Sequence, residues 1–125
     1  QPWDGMPGGT IVGHVHLHVG SLEEGEAFYH RALGFEKMVW SYPGALFLAA
    51  GGYHHHLGTN VWTSGPSPER NEAQLLDWEL VVPSEAAAAG AAESLRTAGY
   101  AAAGADGARS VADPWGTRVR IVTRA

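Results

Sequence analysis

Three histidines on alternate positions, His14, His16 and His18, and three in succession, His54, His55 and His56, are the residues best equipped for chemistry in this chain. From Ile11 to Val19 the pattern alternates, with Val15, Leu17 and Val19 on one face and the three imidazoles on the other. A strand-like run over His54 to Trp62 places His54 and His56 on one face and His55 on the opposite one, where a structural role is expected. A later run, Leu75 to Val82, offers Asp77 and Glu79 on a shared face. Two histidines and a carboxylate around divalent iron, manganese or zinc leave open coordination positions, the requirement of an oxygenase or a Lewis-acid enzyme. With no cysteine in the chain, any metal must be held by His, Asp and Glu. The plainer alternative is that the imidazoles are hydrogen-bonded structure, or line a polar aromatic pocket with Tyr53, Asn60, Trp62 and Trp78 that binds a ligand without metal. Arg120 weighs on that side. A guanidinium stays protonated and repels a cation, but it can anchor an anionic substrate or pair with Asp77 or Glu79.

These residues need elements to hold them. Ser21 followed by Glu24 reads as a capping box, and Ala27, Phe28, Ala32 and Leu33 supply a helical stripe that Gly34 closes. Strands are expected over Phe35 to Trp40, Ala45 to Ala49 and His54 to Trp62, with turns at Tyr42-Pro43-Gly44 and Gly51-Gly52. The order then repeats. Leu75 to Val82 is a strand, Ser84 caps a helix to about Thr97, Gly99 ends it, and strands follow near Tyr100, Ser110 and Arg118 to Thr123. The spacing supports the repeat: counted from His14 and Asp77, the turn glycines Gly52 and Gly116 lie 38 and 39 residues downstream. The expected organisation is a linker-like segment at 1–10 and one α+β domain at 11–125, with module one at 11–62, a polar linker at 63–74 and module two at 75–125. Trp3 and Trp115 are expected to pack, and Glu23, Glu24 and Glu26 to form a solvated helix face.

Composition bounds the partners. The 45% hydrophobic and 17% charged fractions belong to an ordinary globular domain with enough chain for a real core. A net charge of -5 without a Lys/Arg cluster argues against a nucleic-acid or anionic-membrane surface. The alanine-rich run Ala86 to Ala92 is too short to cross a bilayer, and the expectation is a cytoplasmic protein. The opening Gln1-Pro-Trp-Asp-Gly-Met-Pro-Gly-Gly has linker composition, as expected if the chain continues a longer one.

Gly-His-Val-His-Leu-His-Val at 13–19, Ala-Phe-Tyr-His-Arg-Ala-Leu-Gly-Phe at 27–35 and Asp-Pro-Trp-Gly at 113–116 resemble the vicinal oxygen chelate superfamily of glyoxalases, bleomycin-resistance proteins and extradiol dioxygenases. Residues 42–62 and the opening Pro-Trp-Asp-Gly-Met-Pro resemble, more narrowly, the C-terminal domain of two-domain catechol 2,3-dioxygenase-like proteins. The resemblance implies two βαβββ modules whose mixed sheets curve into a cup, with metal ligands on the first and last strands. Those positions fall on His14, His56, Asp77 and Arg120, so the family's last-strand glutamate is replaced by arginine and Asp77 stands where a histidine is common. The implied metal set is His14 and His56 with Asp77 or Glu79, holding iron(II) or alternatively manganese or zinc. His16 is the implied catalytic proton acceptor, and Tyr53, His54, Asn60, Trp62 and Arg120 the substrate-binding residues. The implied activity is extradiol cleavage of a catechol-like aromatic. The alternative is a metal-free, bleomycin-resistance-type module that binds a small aromatic. The implied partners are a second copy, or an absent N-terminal domain that supplies another histidine and the glutamate.

Overall fold

The structure is a computed structural model that describes residues 2–63 and 71–123. Most of the expected 63–74 linker, residues 64–70, lies outside the described residues. The chain opens into strand β1 (Val15–His18), shorter at its start than the alternation from Ile11 suggests. Its neighbour in the sheet begins pairing only at Leu57 opposite Val15, and Ile11 and Val12 before that point are exposed. Helix α1 (Leu22–Gly25) starts where the capping box predicts, with Glu24 N–H donating to Ser21 Oγ at 3.3 Å. It runs on as a π-helix over Glu26–Ala32, ended by Gly34 at φ +99°. Glu26 is not the purely solvated residue expected: it is half-buried and pairs with Lys37 and Arg31 at 3.0 and 3.3 Å.

Strands β2 (Glu36–Tyr42), β3 (Ala45–Ala49) and β4 (Leu57–Asn60) follow, giving a sheet of order β1-β4-β3-β2 in which β1 and β4 are parallel. The run expected from His54 becomes a strand only at Leu57. His56 N–H still donates to Leu48 O at 2.8 Å, but His54 and His55 precede the ladder in a turn. The second half repeats the plan with β5 (Asp77–Val82), α2 (Glu85–Thr97, capped by Ser84), β6 (Arg109–Ala112) and β7 (Arg118–Thr123), ordered β5-β7-β6. The strand expected near Tyr100 is reduced to a single bridge, Ala103 to Ser110. The Ala101–Ala103 run is a poor strand former, and Gly104, at φ +92°, abuts the Ala108 carbonyl so closely that a Cβ would collide with it.

One core joins the halves. Leu17, Val19, Phe28, Tyr29, Leu48 and Leu57 from the first half meet Ala88, Ala92, Leu95, Val111, Val119 and Ile121 from the second. Fully burying each of the larger side chains is worth about 1.5–3 kcal/mol. The alanines of α2 let the helices approach, and Ser94 Oγ donates to Ala32 O at 2.7 Å across the contact. Because β alternation spends one face of each sheet on this core, the other faces are left for polar residues: His16 and His18 on β1, and Asp77, Glu79, Arg118 and Arg120 on β5 and β7. Trp78 belongs to the core side, contrary to its expected place in a binding pocket. It alternates with Asp77 and Glu79 and lies 6.5 Å from Tyr29, ring centre to ring centre. Trp3 is 75% exposed rather than packed, whereas Trp115 packs against the core.

Candidate functional site

The outer face of the first sheet gathers imidazoles and aromatic rings. His16 lies opposite Gly58 on β4, which in turn lies opposite Phe47 on β3. At Gly58 a Cβ would overlap the His16 ring, so any larger residue would push that ring aside. His16 instead lies over the bare backbone, near-parallel to Phe47 at 6.0 Å and tilted by 58° to Trp62 at 6.3 Å, and Tyr42 meets Phe47 edge-on at 5.5 Å. At the other end His14 is 4.6 Å from His55 and 6.3 Å from His54, and Tyr53 is 4.1 Å from His54 and 4.7 Å from His56. His55 is therefore on the same face as His14, not the opposite one, and also touches Phe47 at 5.2 Å. The turn before β4, free of strand alternation, carries it there. Partial burial, and next the nearness of His14, His54, His16 and His56, lower the His55 pKa.

Hydrogen bonds fix the proton positions of two rings. His56 Nδ1 accepts from the Ala50 backbone N–H at 3.2 Å, so the neutral ring carries its proton on Nε2. His18 Nδ1 meets Asn60 Oδ1 at 2.8 Å, and that carbonyl oxygen also accepts the Trp62 N–H at 3.3 Å. A carbonyl can only accept, so His18 bears its proton on Nδ1. His54 Nδ1 and His55 Nδ1 are 2.9 Å apart, one donating to the other.

The second sheet's outer face has a different composition. Arg120 bonds Asp77 Oδ1 and Glu79 Oε1, each at 3.1 Å, while Arg118 donates to Ser110 Oγ. Of the residues singled out in the sequence, the structure brings His14, His16, Tyr53, His54, Asn60, His56 and Trp62 onto the first sheet's face. It groups Asp77, Glu79 and Arg120 separately on the second.

This geometry bears on a metal. A ligating imidazole normally donates its second ring N–H to an acceptor, turning its lone pair to the cation, and His56 is set the other way round. The two carboxylates already bind a guanidinium, and among the described residues no group of three or more His, Asp or Glu is arranged to hold a metal ion. As arranged here, the donors among the described residues do not fit a resident metal. Sequence reasoning passed over Phe47, Gly58 and the His18–Asn60 pair. The alternation that puts His18 beside His16 was the available signal, while the pairing across 42 residues was not.

Two sheets sharing one helix-filled core, each with an outward polar face, define the βαβββ-repeat class. Residues 11–121 match the family described as Glyoxalase/Bleomycin resistance protein/Dioxygenase superfamily, and the chain belongs to it. It is 40% identical over 113 residues to a Catechol-2,3-dioxygenase of Bacillus subtilis (strain 168), an alignment covering 87% of this chain and 39% of that protein. The chain thus spans well under half the length of that relative. Among solved structures, a glyoxylase/bleomycin resistance protein/dioxygenase domain from Frankia sp. EAN1pec superposes with a TM-score of 0.70 at 16% identity, covering 93% of this chain and 98% of that one. A putative glyoxalase from Bacillus halodurans gives 0.68 at 21% identity, covering 93% and 97%. These likenesses show the fold. No helix among the described residues is long and apolar enough to cross a membrane.

Proposed function

We propose that this chain is the aromatic-binding domain of a dioxygenase-type protein, receiving a flat, catechol-like molecule on the first sheet's outer face. The observation that carries the reading is the aromatic cluster on this face: His16 and Phe47 lie near-parallel at 28°, with His16 over Gly58, and the exposed rings of Tyr42 and Trp62 stand at an angle beside them, bordered by imidazoles. Stacking on such rings orients a planar ligand, and imidazoles along the rim can hydrogen-bond its oxygens. Tyr53, His54 and Asn60 border the same face, and Arg120 lies on the other sheet.

A second reading, extradiol ring cleavage with iron(II), is favoured by the 40% identity to a catechol-2,3-dioxygenase. In it the metal would supply chelation of the two catechol oxygens. His14 is the ligand this chain offers most simply. His56 would have to break its bond from Ala50 N–H, and Asp77 or Glu79 would have to leave Arg120. The remaining ligands would then come from a second copy or a preceding domain, and manganese or zinc are the alternatives to iron.

Tryptophan fluorescence of the 125-residue chain during a catechol titration tests the first reading. Saturable quenching that is indifferent to chelator is expected, and no quenching up to millimolar catechol would refute it. Ring-cleavage absorbance after anaerobic iron(II) loading separates the second. Activity in this chain alone would mean that its own residues complete the metal site.

A further inference from the structure

The polar end of the face beside Trp62 carries an additional binding residue. We infer that His18 is a preset hydrogen-bond acceptor that takes the hydroxyl of a phenolic ligand whose ring lies against His16 and Trp62. The inference rests on the aromatic-binding reading above and deepens it, since it specifies a ligand that presents an O–H.

Asn60 is 2% exposed, and its Oδ1 is held from two sides, by Trp62 N–H and by His18 Nδ1. That oxygen can donate nothing, so the neutral His18 ring has its one proton on Nδ1 and a bare lone pair on Nε2. Asn60 is a positioning residue here. It sets the tautomer and the ring plane, as a carbonyl behind an imidazole does in many sites. His18 itself is exposed, and among the described residues the bond to Asn60 is its one hydrogen bond, which leaves Nε2 unspent.

Placement completes the argument. His16 and His18 are alternate residues of one strand, on one face and roughly 6.6 Å apart along it. They pair with Gly58 and Asn60 of β4, and the Trp62 ring lies 6.3 Å from His16. A six-membered ring laid against His16 and Trp62 lies one strand repeat from His18, within reach of a ring substituent. At the opposite end of the face His56 presents an N–H, about 13 Å from Asn60 along the strand. The His18 end therefore presents an acceptor whose sense is fixed by Asn60, and that acceptor selects an O–H. An aryl ether has no proton to give, and an aryl carboxylate would set lone pair against lone pair.

The test is a fluorescence titration of the 125-residue chain with catechol, 1,2-dimethoxybenzene and benzoate at pH 7.5, together with ¹⁵N NMR of the histidine rings. Catechol is expected to bind at least about tenfold more tightly than the ether or benzoate, and His18→Leu to shrink that preference to under about threefold. The His18 ring is expected to carry its proton on Nδ1, and Asn60→Leu to release it into a mixture of tautomers. A proton on Nε2 in the wild type would overturn the inference. Equal binding of catechol and its ether would overturn it while leaving the aromatic reading standing. Binding of none of the three would remove both.

Discussion

The two halves of the chain place a turn at the same point of the repeat, just before the last strand, and put it to opposite uses. In the second half, Asp113 is buried and accepts three hydrogen bonds: from Trp115 N and Thr117 N, each at 2.9 Å, and from Tyr29 Oη at 2.6 Å across 84 residues. Trp115 then covers Gly20, where a Cβ would meet its indole. In the first half, the turn Gly51–His56 has no buried carboxylate at its centre; it is tied down at His56, which accepts from Ala50 N–H and donates to Leu48 O, and it presents three imidazoles and Tyr53. The same point of the repeat thus joins the halves in one copy and carries polar side chains in the other. A repeat frees one copy of an element for function when the other copy secures the fold.

The contrast can be broken most forcefully at Asp113. Asp113→Ala leaves two backbone N–H groups and a tyrosine hydroxyl without a partner, and is expected to lower stability by about 3 kcal/mol in urea unfolding. A loss under about 1 kcal/mol would show that the turn does not join the halves. Tyr29→Phe removes one of the three bonds and is expected to cost about 1 kcal/mol at neutral pH. It should also change the alkaline limb. Burial, and next the Asp113 charge, raise the Tyr29 pKa far above its ordinary value of 10.0. The unfolded chain releases that proton where the folded chain keeps it, so wild-type stability falls as pH rises past about 10, and the phenylalanine variant should lose that part of the slope.

At the other turn the expected costs are small. His54→Ala with His55→Ala should alter stability at pH 8 by under about 0.5 kcal/mol, as for surface positions. Because the folded His55 pKa lies below 6.5, the unfolded state binds the proton first. Stability should therefore fall as pH drops below about 6.5, and this double variant should flatten the fall. A similarly small effect is expected at Arg120→Ala, where two exposed ion pairs are lost for under about 0.5 kcal/mol. The same variant sharpens the metal question, since it frees Asp77 and Glu79. Raised retention of manganese by elemental analysis is the expected result.

Much of this was legible in the sequence because it rests on local rules. Ser21 and Ser84 announced their helices through capping, Gly34 and Gly99 ended them, and the charge of Arg120 made Asp77 or Glu79 one of its two expected partners, beside an anionic substrate. What alternation could not give was where each strand stops. His55 was assigned to the wrong face because the ladder begins at Leu57, a fact set by the reach of β1 and β3 rather than by the His-His-His run. Trp78 was placed in the pocket although its own alternation with Asp77 points it inward. Proton positions on His18 and His56 were beyond sequence altogether, since Asn60 and Ala50 become their neighbours only on folding.

The π-wound stretch at Glu26–Ala32 bears on how this chain could vary in length. Such winding accommodates one residue more than an α-helix would across the same span. Losing one residue there would restore ordinary winding without breaking the helix, but each α-helical residue turns the chain by about 100°. Tyr29 or Asp113's view of it would rotate out of alignment, and the clasp between the halves would open. A shortened chain of this kind would keep its secondary structure by circular dichroism while losing its cooperative unfolding transition, so the length of this helix works as a spacer that times the meeting of the two halves.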